Sequence, residues 1–288
     1  MKKSICLFII TAFIISTSTA KDAIFQVSHR AIKSIILKKT QINVNFQTED
    51  AASNKRINEI TLPTVGEPEN ISEVKPSVSH AAFNTLLVKH VSNSGVVNYK
   101  GFKNEQNKLK IYINTLSANS PQPSWTRNQK LAYWINFYNA LTIDLLLTNY
   151  PITSIMNIDN AWDKKIITID GESYTLNDIE NKVIRPNFNE PRIHFAVNCG
   201  ALSCPKLLNE AFVPEKLDAQ LEKQTIAFIN NTSQNKIDTD KVMISKIFEW
   251  YSSDFGNIIA FLNRYSKIKI EAKAKVSYLD YQWSLNGY

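Results

Sequence analysis

Beyond residue 78, apolar positions recur mostly at helical spacing, and alternation is confined to a few short runs. Ala82 to Val91 predicts a helix ended near Asn93 and Gly95, and residues 103–118, carrying Leu109, Tyr112, Ile113 and Leu116, predict a second. Between them VVNYKGF predicts a short strand or turn. The strongest helix runs from Arg127 to Tyr150, capped by Thr126 and stopped at Pro151. Its middle, LAYWINFYNALTIDLLL, is apolar nearly all round, which predicts burial on most sides and puts Tyr133, Trp134, Phe137 and Tyr138 in the core. Asn136 and Asn139 interrupt that surface on one face. A buried amide left unpaired costs about 1–3 kcal/mol, so each needs a partner.

Further on, Ile166–Ile169, Asp170-Gly171 and Tyr174-Thr175-Leu176 predict a β-hairpin. LNDIENKVI predicts a short helix, with Glu180 and Arg185 a surface ion pair, and Arg192 to Asn198 predicts a strand. Pro214 opens another helix, VMIS is a strand, KIFEWYSSDFG a short helix and turn, residues 257–265 a helix, and KVSYLDYQWSLN a closing strand with an irregular tail. Trp250 and Trp283 are expected in the core. Helices and short strands mix without βαβ alternation, which predicts an α+β domain over residues 79–288: a central buried helix packed on a small, mainly antiparallel sheet.

The first 78 residues differ in character. Residues 1–20 carry Lys2 and Lys3, an apolar run from Ile5 to Ile15, then small residues including Ser18 and Ala20. This is the pattern of a secretory leader, too short to span a bilayer, and it predicts export to a periplasmic or extracellular space. Residues 21–45, basic and isoleucine-rich, predict an amphipathic arm that packs on the domain or touches a membrane surface or protein partner. Residues 46–78 are polar and aperiodic, a linker. The net charge of +7 is spread along the chain, without a dense basic arm, zinc-finger spacing or RNP-like run, so nucleic acid is not expected as a partner.

Candidate chemistry concentrates in HFAVNCGALSCP, His194 to Pro205, which holds the two cysteines outside the leader. In an oxidising space an even pair favours a disulfide, Cys199–Cys204, whose six-residue loop is worth roughly 2 kcal/mol by loop entropy. Cys199 as a nucleophilic thiol stays open beside it, and so does a metal site, although the spacing fits no zinc pattern. On a strand, His194 and Cys199 lie ~16 Å apart and on opposite faces, so His194 serves as base only if the strand breaks early. His80 or His90 is the substitute. Asn136 or Asn139 orients the histidine, or bonds neighbouring backbone. Arg192, Asn198 and the Gly200 turn are candidate ligand-binding groups, the last as an oxyanion pocket. Gly-x-Ser-x-Gly, His-Glu-x-x-His and Gly-x-x-x-x-Gly-Lys are absent, no cofactor is expected, and the DFG at 254–256 lacks every other kinase motif.

AYWINFYNAL, YTLNDIENKVIR, RIHFAVNCGALSCP, KIFEWYSSDFG and YLDYQWSLN, in that order, resemble the domain of unknown function 547 family, from about His80 to Asn286. The resemblance implies a shared fold but no activity. A buried helix followed by a histidine-bearing strand is also similar to transglutaminase- and papain-like enzymes. That likeness implies a thiol-type hydrolase or acyltransferase, yet no cysteine lies in Thr126–Tyr150, where such enzymes carry their nucleophile. The other reading is a non-catalytic binding or scaffold domain stapled by Cys199–Cys204.

Overall fold

The computed structural model describes residues 77–288. The leader, the basic arm and all but the last two residues of the linker lie outside the described residues. Helix α1 (Ala81–His90), α2 (Tyr99–Lys103) and α3 (Gln106–Ser117) lead to the long α4 (Arg127–Asn149). A capping box fixes the start of α4: the Thr126 side chain accepts the Gln129 N–H, and the Gln129 side chain accepts the Thr126 N–H at 2.7 Å. From Leu131 to Ile143 every residue of α4 is buried, as the unbroken apolar run requires.

The segment VVNYKGF is not a strand. Asn98 accepts the Gly101 N–H and caps α2 instead, and only Val97 pairs in a β-bridge. After α4 come the antiparallel hairpin β1 (Ile167–Ile169) and β2 (Glu172–Tyr174), a π-helix (Asp178–Ile184) and α5 (Arg185–Phe188). Helix α6 (Leu217–Ile229) starts three residues after Pro214. Strands β3 (Lys236–Ile237) and β4 (Lys241–Ile244) are antiparallel. The helices α7 (Ile247–Trp250), α8 (Ser252–Phe255) and α9 (Ile258–Tyr265) precede β5 (Lys275–Tyr278), which pairs parallel with β4.

The class is α+β, with the strands divided between a two-stranded hairpin and a three-stranded mixed sheet. One apolar core surrounds α4; another gathers Phe195, Phe228, Phe248, Phe255 and Phe261 under the mixed sheet. Among the described residues no helix is long and apolar enough to cross a membrane.

The largest departure falls at the candidate site. Pro191–Phe195 is a 3-10 helix and not part of a strand. Pro191 fixes φ and brings no N–H to a ladder, and Glu190 accepts the Arg192 N–H at 3.3 Å, which starts a tight turn. Ile193 through Asn198 are all buried, so the segment has no solvent face to alternate with.

Candidate functional site

Six pieces of chain meet at one cleft of about 270 Å³: α4 through Tyr138, the turn holding Trp162 and Asp163, the π-helix, the 3-10 helix with the cysteine loop, α7 with Tyr251, and the C-terminal tail. The tail is laid along the cysteine loop by backbone bonds. Leu202 N–H donates to Ser284 O at 2.8 Å, Ser203 N–H to Gln282 O at 3.2 Å, and Asn286 N–H to Gly200 O at 2.9 Å. This pairing carries Tyr281 and Trp283 to the cleft wall.

At the floor, His194 is almost wholly buried, with Tyr251 stacked on it at 3.9 Å between ring centroids. Its Nε2 stands 2.8 Å from Asp254 Oδ2, and Arg185 grips the same carboxylate through Nε at 2.6 Å and Nη2 at 2.7 Å. Arg185, then His194, hold the Asp254 carboxyl well below the usual carboxylate range, so Asp254 is an anion and His194 Nε2 is the donor. His194 Nδ1 has no hydrogen-bond partner and lies 3.9 Å from Glu180 Oε1.

Glu180 and Arg185 do not form the expected surface pair. Glu180 is buried, and its charge acts on the phenols of Tyr138 and Tyr251, while Arg185 is given to Asp254. Burial, and then the Glu180 charge, push the phenols of Tyr138, Tyr251 and Tyr281 up, so all three remain O–H donors. The π-helix gives Glu180 this place; such wide turns often occur at functional sites.

Cys199 and Cys204 are bridged. Cys199 is half-buried and Cys204 buried, and both line the cleft. The Cys199 N–H and the Tyr281 O–H each donate to Cys204 Sγ at 3.1 Å; the same phenol is 3.4 Å from Cys199 Sγ. Because the chain turns after the 3-10 helix, His194 and Cys199 line one cleft, and the opposite-face expectation fails with the strand.

The walls are aromatic. Trp250, Tyr281 and Trp283 pack on one another, with centroids 4.9 Å apart for Trp250–Tyr281 and 4.5 Å for Tyr281–Trp283, and Trp162 meets Trp283 at 5.7 Å. Trp250, expected in the core, is 47% exposed. Trp283 is only partly buried. Asp163 and Glu180 line the cleft, and no lysine or arginine does.

The other sequence candidates are engaged elsewhere. Asn136 donates to Phe212 O at 2.7 Å and accepts the Phe212 N–H at 3.0 Å; Asn139 donates to Ala196 O at 2.9 Å and accepts the Asn198 N–H at 2.8 Å. Both amides thus tie irregular backbone to α4, Asn139 at the segment between His194 and Cys199. The Asn198 side chain donates to Pro205 O and accepts the Gly200 N–H, so neither Asn198 nor the Gly200 amide is left for an oxyanion. Gly200 is required by its φ of +79° and by Leu146 Cδ1, 2.5 Å from where a Cβ would stand. Arg192 is taken up by Glu190, Asp218 and Glu222. His80 bonds Tyr112 and His90 bonds Glu105, and neither lines the cleft, so neither serves Cys199. Among the described residues no group of three or more His, Cys, Asp or Glu could hold a metal ion.

Sequence reasoning missed Asp254, Trp250, Tyr251, Tyr281 and Trp283 as site residues. One signal was present for Glu180: Leu176, Glu180 and Ile184 are four apart, which sets the carboxylate on the buried apolar face.

Fold and cleft together define a small α+β domain with an acidic, aromatic-walled cleft bordered by a disulfide. Residues 122–229 match the family model described as Protein of unknown function, DUF547. The match runs from the start of α4 to the end of α6 and includes Glu180, His194 and both bridged cysteines, whereas Trp250, Asp254, Tyr281 and Trp283 lie beyond it. No curated protein and no solved structure matches the chain.

Proposed function

We propose that the protein binds, in this cleft, small ligands that carry a cationic group on an apolar body. The observation that supports this reading is the composition of the cleft: Trp162, Trp250, Tyr251, Tyr281 and Trp283 around two carboxylates, with no lysine or arginine. Aromatic faces attract cations, by about 0.5–2 kcal/mol each depending on desolvation, and the carboxylates of the buried Glu180 and the exposed Asp163 add to the field. The apolar rings select the rest of the ligand by area. Trp250, being half-exposed, reports on occupancy through its fluorescence and can be truncated without opening the core. In a panel of alkyl- and arylammonium compounds, binding quenches the fluorescence, and Trp250→Ala weakens binding roughly tenfold. Equal affinity in that variant overturns the reading.

A second reading, thiol-type hydrolysis or acyl transfer at Cys199, is favoured by the shared cleft and by the unpartnered Nδ1 of a histidine whose Nε2 is held by Asp254. Its nucleophile is locked in the disulfide, so it predicts turnover of thioesters or esters only after reduction. Export fits both readings, because the bridge persists in an oxidising space.

A further inference from the structure

The cleft disulfide has an asymmetry that a purely structural staple does not need. One sulfur is presented and the other is held. Cys199 is half-buried and Cys204 only 8% exposed, although both line the cleft; two donors bond the Cys204 sulfur, and one of them, the Tyr281 phenol, also lies 3.4 Å from Cys199 Sγ. Those donors are the Cys199 N–H and the Tyr281 O–H, both at 3.1 Å. A neutral disulfide sulfur is a weak acceptor and gains little from them. A thiolate gains much more, because hydrogen bonds to an ionised acceptor are roughly twice as strong as neutral ones.

Thiol–disulfide exchange depends on which sulfur is attacked and on how well the other one leaves. Here access selects Cys199, and the two donors favour Cys204 as the departing thiolate. Tyr281 is itself fixed for this, because the tail that carries it is bonded to the loop through Ser203 and Gln282.

We infer that Cys199–Cys204 is a thiol–disulfide exchange site, opened by an external thiol that attacks Cys199 and displaces Cys204 toward Tyr281. An incoming thiolate RS⁻ forms a bond to Cys199 Sγ; the Cys199–Cys204 bond breaks, and its electron pair passes to Cys204 Sγ. A second thiol then attacks the mixed disulfide, leaving the protein dithiol and RSSR. Each thiol oxidised gives up one electron, two for the disulfide reduced, and the protons of the two thiols end on Cys199 and Cys204. Run in reverse, the dithiol reduces a small disulfide.

The substrate class follows from the lining. Asp163 and Glu180 line the cleft and no lysine or arginine does, so a thiol bearing a positive charge is preferred to an anionic one. This preference rests on the cation-binding reading; the exchange itself does not.

The test uses the native, oxidised protein with cysteamine and with glutathione, each rate divided by that thiol's rate with a simple dialkyl disulfide. Samples are quenched in acid, alkylated and mapped by mass spectrometry, with circular dichroism to establish that the protein stays folded. The expected result is an adduct on Cys199 with Cys204 alkylated, and opening roughly tenfold faster by cysteamine than by glutathione. Tyr281→Phe, which removes one donor and little volume, slows opening roughly tenfold. Opening at Cys199 at equal normalised rates supports exchange and removes the cationic preference. An adduct on Cys204, or a bridge that opens only in denaturant, overturns the exchange site. An unchanged rate in Tyr281→Phe overturns the assignment of Tyr281 to the leaving sulfur.

Discussion

His80 is a buried histidine held neutral. Burial brings its imidazole down to about 4, against the opposing pull of Glu215, and its Nδ1 shares a hydrogen bond with the Tyr112 hydroxyl at 2.7 Å. The unfolded chain takes up this proton near pH 6.5, while the folded chain waits until about pH 4. Stability contributed by this group is therefore complete above 6.5, falls as pH drops through the interval, and levels off below about 4, a loss on the order of 3 kcal/mol. Asp254 titrates below this window, because Arg185 and His194 depress it, so its contribution is lost only at lower pH. Urea unfolding at pH 7 and pH 4.5 should show most of that loss in the wild type and little of it in His80→Gln. The same slope in both proteins contradicts the assignment.

At the scale of elements, α4 organises the site and brings one side chain, Tyr138, to its wall. Its two asparagines replace missing backbone partners, so a helix that is otherwise apolar anchors two loops. Asn139→Ala leaves Ala196 C=O and Asn198 N–H without their partner and should cost about 2–4 kcal/mol in denaturant unfolding. Because that backbone joins His194 to Cys199, Asn139→Ala is also expected to loosen the cleft, read as faster amide exchange over 194–200. A loss below about 0.5 kcal/mol is the contrary result, since surface substitutions reach that size. Helical elements such as α4 were legible because distant neighbours are not needed to see them: local apolar periodicity and a cap suffice, as Thr126 and Gln129 do here. The segment 192–198 was not, since alternating Ile193, Phe195 and Val197 imitate a strand while Pro191 and Glu190 set a tight turn.

For the molecule as a whole, the class of fold follows from local patterns, but the cleft follows from long-range closure. Asp254 reaches His194 across sixty residues, and Tyr281 reaches Cys204 across seventy-seven. No local spacing encodes such pairings, which is why Trp250 and Trp283 read as core while standing at a cleft wall. The cysteine pair was legible from its even count in the sequence, and its placement beside the Tyr281 phenol in an aromatic-lined cleft was not. These distant contacts produce one functional consequence, a cleft acidic and aromatic at once on a chain of net charge +7. The direct test is a paired titration of the oxidised protein with choline and its uncharged isostere 3,3-dimethyl-1-butanol, followed by tryptophan fluorescence. The two differ in charge and hardly in shape, so cation recognition predicts that choline binds roughly ten- to thirtyfold more tightly. Equal affinity, or tighter binding of the alcohol, would contradict a cleft built for cations.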